Sequence, residues 1–266
     1  MIVYTPEQII KACQLMYRKY HKPESIHPDP LEIPRLFSNQ KDQEIAGFFS
    51  AMVALGRVDL FMPVVHHVFS LFNKPAEQLS LLTYRDILEL LKPTYYRFFT
   101  PQSLAGLLFA IVSTIKTYGS LEACYISVPQ TTHLKRLTYL RETILTASPV
   151  PLPPITIPHP SGVAKRLHLF ARWMIRKDQI DLGVWSHGNP QDLFYPLDTH
   201  IFQVAKFLSI TNRKSADVKA LIEVSEFFRT WNPDDPVKFD FSLSRIGLGR
   251  GLKIQEYEKT IQKYLE

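Results

Sequence analysis

The sequence predicts an all-α protein with about ten or more helices. Apolar residues recur at helical spacing along most of the 266 residues, and residue types that begin helices precede several of these segments. The alternating apolar and polar residues with tight hairpin turns that are typical of strands are missing from the sequence. These observations favour packed helices throughout and predict essentially no sheet.

Helix starts are indicated by capping residues at several places. Thr5 is followed by a proline and then by Gln8, which together are typical of a capping box. Thr100 also stands before a proline, and the long apolar helix that it begins is expected to end at Gly119. Ser120 is expected to cap the next short helix, LEACYI.

A proline-rich connector interrupts the helices between residues 149 and 160. It holds six prolines in twelve positions, and proline both fixes the backbone angle φ and lacks the N–H of a helical hydrogen bond. We therefore expect an extended connector of limited flexibility. A spacer between two packed helices is a plainer interpretation than a ligand for a proline-binding module.

Composition limits the class of partner and the compartment. The formal net charge of +6 permits a polyanionic partner such as nucleic acid without requiring one. Cys13 and Cys124 lie in separate apolar helical patterns, which indicates buried free thiols and no disulfide. The longest apolar run, residues 104–112, is shorter than the roughly 20 residues of a membrane span. We expect a cytoplasmic protein that does not bind a membrane.

The segment YPLDTHIFQVAKFL, residues 195–208, contains one candidate functional residue. Apolar residues from Ile201 to Leu208 have helical spacing, so Asp198 stands at the position of an N-cap. Capping alone would explain an aspartate there. The alternative is a catalytic carboxylate placed at a helix start, and this segment by itself leaves both interpretations open.

The segment HPSGVAKRLHLFARWMIRKD, residues 159–178, contains a second candidate. A turn over residues 160–162 precedes an amphipathic helix whose first turn holds Lys165 and Arg166. The positive end of the helix dipole disfavours a charged amine, and a nucleophilic lysine must be neutral. Lys165 could instead be an ordinary solvated side chain, or join Arg166 and Arg172 in a phosphate site.

Together these segments resemble the helix-hairpin-helix DNA glycosylases. In that superfamily a hairpin of the form LPGVGRKTA supplies a lysine nucleophile, and a downstream VDTHIFRV segment supplies an aspartate at a helix start. The segment LDTHIFQV at residues 197–204 closely matches the second motif. In the hairpin, Ser161, Gly162 and Val163 replace Gly-hydrophobic-Gly, and Lys165 follows the proline of the turn by five positions.

The resemblance extends beyond these two motifs. The 33-residue spacing from Lys165 to Asp198 is similar to that of the archaeal 8-oxoguanine glycosylase branch, which also has a modified hairpin. The stretch YRFFTPQSLAGLLFAIVSTIKTYGSL resembles another helical segment of the superfamily. The segments DPLEIPRLF, QEIAGFFSAMVALGR and DPVKFDFSLSRIGLG resemble an uncharacterised bacterial family related to these glycosylases.

The resemblance implies one two-lobed helical domain with a cleft that binds damaged double-stranded DNA. Lobe A would comprise residues of about 40–172, and lobe B would combine about 1–39 with 180–266. The implied activity is base-excision repair in the nucleoid: glycosylase and abasic-site lyase, with an oxidised purine such as 8-oxoguanine flipped out of the duplex. Lys165 would be the nucleophile, and Asp198 would stabilise the positive charge that develops on the sugar.

Other residues acquire candidate roles from the same resemblance. DNA contacts are expected from Arg57, Arg97, Ser161, Gly162, Arg166 and Arg172. His200 could orient Asp198, although a histidine that satisfies a buried backbone group is the plainer interpretation. No metal and no cofactor are expected, because the C-terminal cysteines that hold an iron–sulfur cluster in some relatives are missing. The alternative function is a non-catalytic DNA-binding or scaffold protein with the same fold.

Overall fold

The computed structural model describes residues 4–129, 131–246 and 254–265, and these residues are mostly helical. They form α1 (Pro6–Tyr20), α2 (Gln40–Val53), α3 (Val58–Ser70), α4 (Pro75–Ser80), α5 (Tyr84–Leu91), α6 (Pro101–Tyr118), α7 (Leu121–Ile126), α8 (His133–Ala147), α9 (Lys165–Ile175), α10 (Thr199–Phe207), α11 (Val218–Trp231), α12 (Asp240–Arg245) and α13 (Ile254–Leu265). Isolated bridges join Tyr96 to Phe99 and Lys177 to Leu182, and the described residues contain no strand. The prediction of an all-α protein is confirmed.

The helix starts and stops predicted from local sequence are confirmed. Thr5 and Gln8 form a reciprocal capping box at α1, and the Thr100 hydroxyl accepts the N–H of Ser103 at α6. α6 ends at Gly119, whose φ of +93° is a left-handed conformation that favours glycine. Ser120 caps α7 through the N–H of Ala123.

The helix α2 lies at the centre of the first half of the chain. Every residue from Asp42 to Val53 is buried, and α2 packs against α3, α4, α6 and α9. Only a helix surrounded by other elements can bury its whole circumference. The C-terminal end of α2 is therefore a fixed point against which neighbouring segments are held.

Helices from the two ends of the chain pack together. α1 contacts both α12 and α13, and α10 contacts the same two helices. Buried apolar side chains of α1, including Ile9, Ile10 and Met16, supply its side of this packing. The segment that begins at Asp198 is therefore supported by helices remote from it in sequence.

The proline-rich connector contains no helix, as predicted, but it is not extended throughout. Thr156 donates its N–H to the carbonyl of Pro153 at 2.8 Å, which closes a turn. Pro154 occupies the second position of this turn, where the fixed φ of proline is favourable. The Arg141 side chain donates Nε–H to the carbonyl of Ile157 at 3.0 Å. The connector is thus bent and anchored to α8.

Two predictions from composition also have structural outcomes. Cys13 and Cys124 are free and buried, as expected. Burial raises the pKa of Cys124 to about 11, so its thiol stays protonated at neutral pH. Within residues 4–129, 131–246 and 254–265, no helix combines the length and apolar character needed to cross a bilayer.

Candidate active site

The structure brings Lys165 and Asp198 into contact. Lys165 Nζ lies 2.9 Å from Asp198 Oδ2, and the two side chains remain 36% and 24% exposed. α9 begins at Lys165, directly after Ala164, whose φ of +39° is left-handed. This conformation is costly for a residue with a Cβ atom. The turn therefore directs the chain sharply into the helix at the candidate nucleophile.

Asp198 is both the cap of α10 and the partner of Lys165. Its Oδ1 accepts the N–H of Ile201 at 2.8 Å, which confirms the capping prediction. Burial alone would raise the pKa of Asp198, but the Lys165 ammonium, the Ile201 N–H and the charge of His200 outweigh burial and lower it. Asp198 is therefore a carboxylate at neutral pH, while His200 itself is exposed in the first turn of α10.

The turn before Lys165 is held by hydrogen bonds to His159. The Ser161 hydroxyl lies 2.7 Å from His159 Nδ1, and Gly162 donates its N–H to the His159 carbonyl at 2.9 Å. The left-handed residue of the turn is Ala164 rather than Gly162. Ser161 is exposed, and a phosphate contact from Ser161 and Gly162 stays a prediction.

Arg166 does not have the surface position that its expected DNA contact requires. It is 7% exposed, and its guanidinium donates to the carbonyls of Met52, Ile155 and Thr156. Burial lowers the pKa of Arg166 to about 10, so it stays protonated at neutral pH. The expected contact is corrected: Arg166 joins the connector and α9 to the C-terminal end of α2.

Arg172 is likewise buried, at 2% exposed. Its guanidinium contacts Asp240 of α12 and lies 3.1 Å from Asp181 Oδ1. A cation enclosed by two carboxylates in the interior cannot also contact a phosphate on the surface. The expected DNA contact of Arg172 is therefore corrected to an internal ion-pair role.

Arg97 lies in an exposed aromatic turn, which we define as residues 95–99. Tyr95 and Phe98 are 64% and 56% exposed, while Tyr96 is buried and donates its hydroxyl to the carbonyl of Leu55. Arg97 is exposed, with a left-handed φ of +52°. The aromatic turn therefore presents two rings and one guanidinium to solvent.

Arg57 lies close to the aromatic turn. A Cβ atom at Gly56 would clash with Arg97 Nη1, so the Arg97 side chain rests against that glycine. Arg57 follows Gly56 and is exposed, with its Nη2 2.6 Å from Asp59 Oδ2. The side chains of Arg57 and Arg97 are thus close to the C-terminal end of α2. Arg166, which follows Lys165, binds the carbonyl of Met52 at the same end of α2.

Sequence reasoning missed two residues of this region. A signal for Phe98 is present in the run YYRFF, which lies between two helices and combines aromatic and basic residues, a pattern suited to stacking on bases. Asp240 was also missed, and no local signal distinguishes it, because its position depends on the contact with Arg172.

Comparison with known proteins adds a family. No curated protein and no solved structure matches the chain significantly. The family model described as "Protein of unknown function (DUF2400)" matches residues 29–249. This range is more than four fifths of the chain and includes Lys165, Asp198 and the aromatic turn. The chain therefore belongs to the DUF2400 family of proteins of unknown function.

Proposed function

We propose that the protein is a DNA glycosylase with abasic-site lyase activity that removes an oxidised purine, with 8-oxoguanine favoured, from double-stranded DNA. The observation that carries this proposal is the 2.9 Å contact between Lys165 and Asp198 at the start of two helices. A candidate nucleophile and its acid–base partner should lie within hydrogen-bond reach. Both side chains are partly exposed, so a substrate can approach them.

The pair can perform each step of the proposed reaction. Asp198 accepts a proton from the Lys165 ammonium, and the neutral amine attacks the sugar C1′. The N–C1′ bond forms as the bond from C1′ to the base breaks, and the departing base takes the bonding electrons together with the proton that Asp198 had accepted. Asp198 is then a carboxylate again and stabilises the positive charge on the sugar and the attached nitrogen. The C1′–O4′ bond breaks as the nitrogen loses a proton and O4′ gains one, which gives a protonated Schiff base, and loss of a C2′ proton to Asp198 expels the 3′ phosphate.

The DNA surface is proposed to include the aromatic turn and its basic neighbours. Phe98 and Tyr95 offer exposed rings, while Arg57 and Arg97 offer guanidinium groups at the same end of α2. Rings stack on bases and guanidinium groups bind phosphates, and enzymes that extrude a base from the duplex need both. The hairpin residues Ser161 and Gly162 would contact the strand that carries the damaged base.

A two-lobed arrangement with a DNA-binding cleft is part of this proposal. Packing of α1 on α12 and α13 supports a lobe built from both ends of the chain, and packing of α2 with α6 and α9 supports the other. Lys165 belongs to the helix that contacts α2, whereas Asp198 caps α10, which contacts α12 and α13. The pair would then lie where the two lobes meet.

A non-catalytic DNA-binding protein is the second candidate function. One observation favours it: Lys165 and Asp198 already satisfy each other, because the carboxylate caps α10 and the ammonium neutralises the carboxylate. A buried or half-buried ion pair of this kind can also be purely structural. The two functions differ in whether a covalent adduct forms on Lys165.

Borohydride trapping tests the proposed function directly. Duplexes with 8-oxoguanine opposite cytosine, or with an abasic site, are incubated with the protein and sodium borohydride, which reduces a Schiff base to a stable adduct. We expect an adduct with wild type and none with Lys165→Gln. Lys74→Gln is the control, because Lys74 precedes α4, whose Ala76 N–H binds Asp42 at the opposite end of α2. Adduct formation by Lys165→Gln, or none by wild type on either duplex, would contradict the proposal.

A further inference from the structure

A chain of buried charges begins beneath the Lys165–Asp198 pair. Arg172 follows Lys165 by seven residues, or two helical turns, so both side chains lie on one face of α9. Arg172 contacts Asp240, the first residue of α12, and Asp181, and all three side chains are at most 5% exposed. Asp198 and Asp240 thus bind successive cations along the same helix face.

The charge chain, which we define as Arg172, Arg176 and the aspartates that contact them, continues just past the end of α9, at its C-cap Arg176. Arg176 Nη1 lies 2.8 Å from Asp181 Oδ2, and its Nε donates to Asp235 Oδ2 at 2.8 Å. Asp178 contacts the same guanidinium, and His21, which follows the last residue of α1, lies 2.6 Å from Asp178 Oδ2 through Nε2. The carboxylates around the two guanidinium groups of Arg172 and Arg176 are thus those of Asp178, Asp181, Asp235 and Asp240. If all four were ionised, negative charge would exceed positive charge here, which favours protonation of one of them.

Asp240 is the carboxyl group of this charge chain that is electrostatically coupled to Lys165 and Asp198. α12 packs against α10, the helix capped by Asp198. The charges of both Asp198 and Lys165 act on Asp240 in addition to that of Arg172. Asp235, by contrast, pairs with Arg176 and is separated from Lys165 by another turn of α9.

Asp240 changes its charge near neutral pH. Burial raises the pKa of Asp240 to about 6, Asp198 adds to the rise, and Arg172 and Lys165 oppose it. The pKa of an ordinary aspartate is about 3.9, so such a group has already lost its proton well below pH 6. The charged and titratable groups that interact with Asp240 are Arg172, Lys165, Asp198, Asp181 and Tyr195. Its partner Arg172 also interacts with Arg176 and Asp29.

We propose that Asp240 is a positioning residue that sets the charge state of the Lys165 amine. When ionised, Asp240 adds a second negative charge along the α9 face and stabilises Lys165 as an ammonium. When Asp240 is protonated, Asp198 is the only one of these two carboxylates that stabilises the Lys165 ammonium, and the ammonium loses its proton more readily. The nucleophilic role of the amine rests on the proposed function, whereas the coupling of Asp240 to Lys165 can be measured without DNA.

Pulse labelling of the intact protein tests this coupling. Brief acetic anhydride pulses at pH 5 to 10, followed by mass spectrometry of the Lys165 peptide, give the pH dependence of its reactivity. We expect Asp240→Asn to move the Lys165 profile to lower pH by about half a unit, the effect of one charge at roughly 10 Å. The matched control, Asp235→Asn, removes a carboxylate of the same charge chain and should leave the Lys165 profile in place. An unmoved profile in folded Asp240→Asn, or an equal shift in Asp235→Asn, overturns the proposal.

A reciprocal measurement covers the case in which Asp240→Asn does not fold. Carbon-13 NMR of carboxyl-labelled aspartate follows the titration of Asp240 in wild type and in Lys165→Gln, whose substitution is at a partly exposed site. Loss of the Lys165 charge should raise the Asp240 midpoint, because coupling between two sites is mutual. An unchanged midpoint overturns the proposal.

Neither measurement depends on the enzymatic activity. Suppose that wild type forms no borohydride adduct, but the pH profile of Lys165 acetylation differs between Asp240→Asn and wild type. The proposed function then fails and the coupling stands. If the adduct forms but the Lys165 profile and the Asp240 midpoint are both insensitive, the function stands and the positioning role of Asp240 fails. If both stand, Asp240→Asn should also move the pH profile of adduct formation to lower pH.

Discussion

Lys165 Nζ and Asp198 Oδ2 are 2.9 Å apart although 33 residues separate them in the chain. Lys165 is the first residue of α9 and Asp198 is the N-cap of α10, so the positive ends of two helix dipoles converge on one carboxylate. Both dipoles stabilise Asp198 as an anion, in the same direction as its contact with Lys165.

The first prediction separates the capping role of Asp198 from its charge. Asn caps helices about as well as Asp, so Asp198→Asn should retain the fold and lose the proton acceptor. We expect the rate of borohydride adduct formation to fall about 100-fold or more. Asp217→Asn is a matched control, because Asp217 caps α11 by accepting the Ala220 N–H at 2.9 Å. Equal losses in the two variants would contradict a specific role for the carboxylate beside Lys165.

The second prediction concerns Arg172. Arg172→Met keeps the aliphatic stem but leaves Asp181 and Asp240 buried without their shared cation. Breaking a buried ion pair from one side typically costs about 3–5 kcal/mol, and urea denaturation should show a loss of this order in the free energy of unfolding. Arg57→Met, at an exposed ion pair, should leave the denaturation midpoint unchanged. A midpoint for Arg172→Met equal to that of wild type would contradict the internal role of Arg172.

The third prediction is destabilisation by mild acid. Burial lowers the pKa of His133 to about 3 and that of His168 to about 4, whereas an unfolded histidine titrates near 6.5. Their contribution to stability is therefore complete above about pH 6.5 and is lost as the pH falls towards the folded values. Each should remove about 1.4 kcal/mol of unfolding free energy per pH unit within this window.

His168→Leu isolates one of these two contributions. Among the described residues, neither ring nitrogen of His168 has a hydrogen-bond partner, so an apolar side chain of similar size should be tolerated. Urea denaturation at pH 7, 6 and 5 should show a smaller decline of stability in His168→Leu than in wild type. His67→Gln, at an exposed histidine, should retain the full decline. A decline in His168→Leu as steep as that of wild type would contradict the assignment.

The fourth prediction tests the basic surface beside the aromatic turn. Each arginine that contacts a phosphate releases about one counterion, so Arg57→Gln and Arg97→Gln should each reduce the slope of log affinity against log salt by about one. Fluorescence anisotropy with a duplex containing an abasic site measures this slope. Lys74→Gln controls for loss of a charge at the far end of α2. Slopes that match wild type in both arginine variants would exclude this surface from DNA binding.

The helix starts could be predicted because every participant is local. Asp198 and the N–H that it accepts are three residues apart, so a short segment contains the whole cap. The DNA contacts expected of Arg166 and Arg172 are wrong, since these side chains bind Met52 and Asp240, which are 114 and 68 residues away in the chain. Contacts at such separation depend on how helices pack, which periodicity alone does not specify. The proximity of Lys165 to Asp198 was expected only through resemblance to a known family.

The anchored connector has a thermodynamic consequence for ligand binding. Its prolines restrict the unfolded chain, and Arg141 and Arg166 fix its carbonyl groups in the folded protein. The hairpin that precedes Lys165 is consequently preorganised, and binding of a ligand there costs the protein little conformational entropy. Titration calorimetry should therefore record the small heat-capacity change of rigid docking rather than the large one of folding coupled to binding.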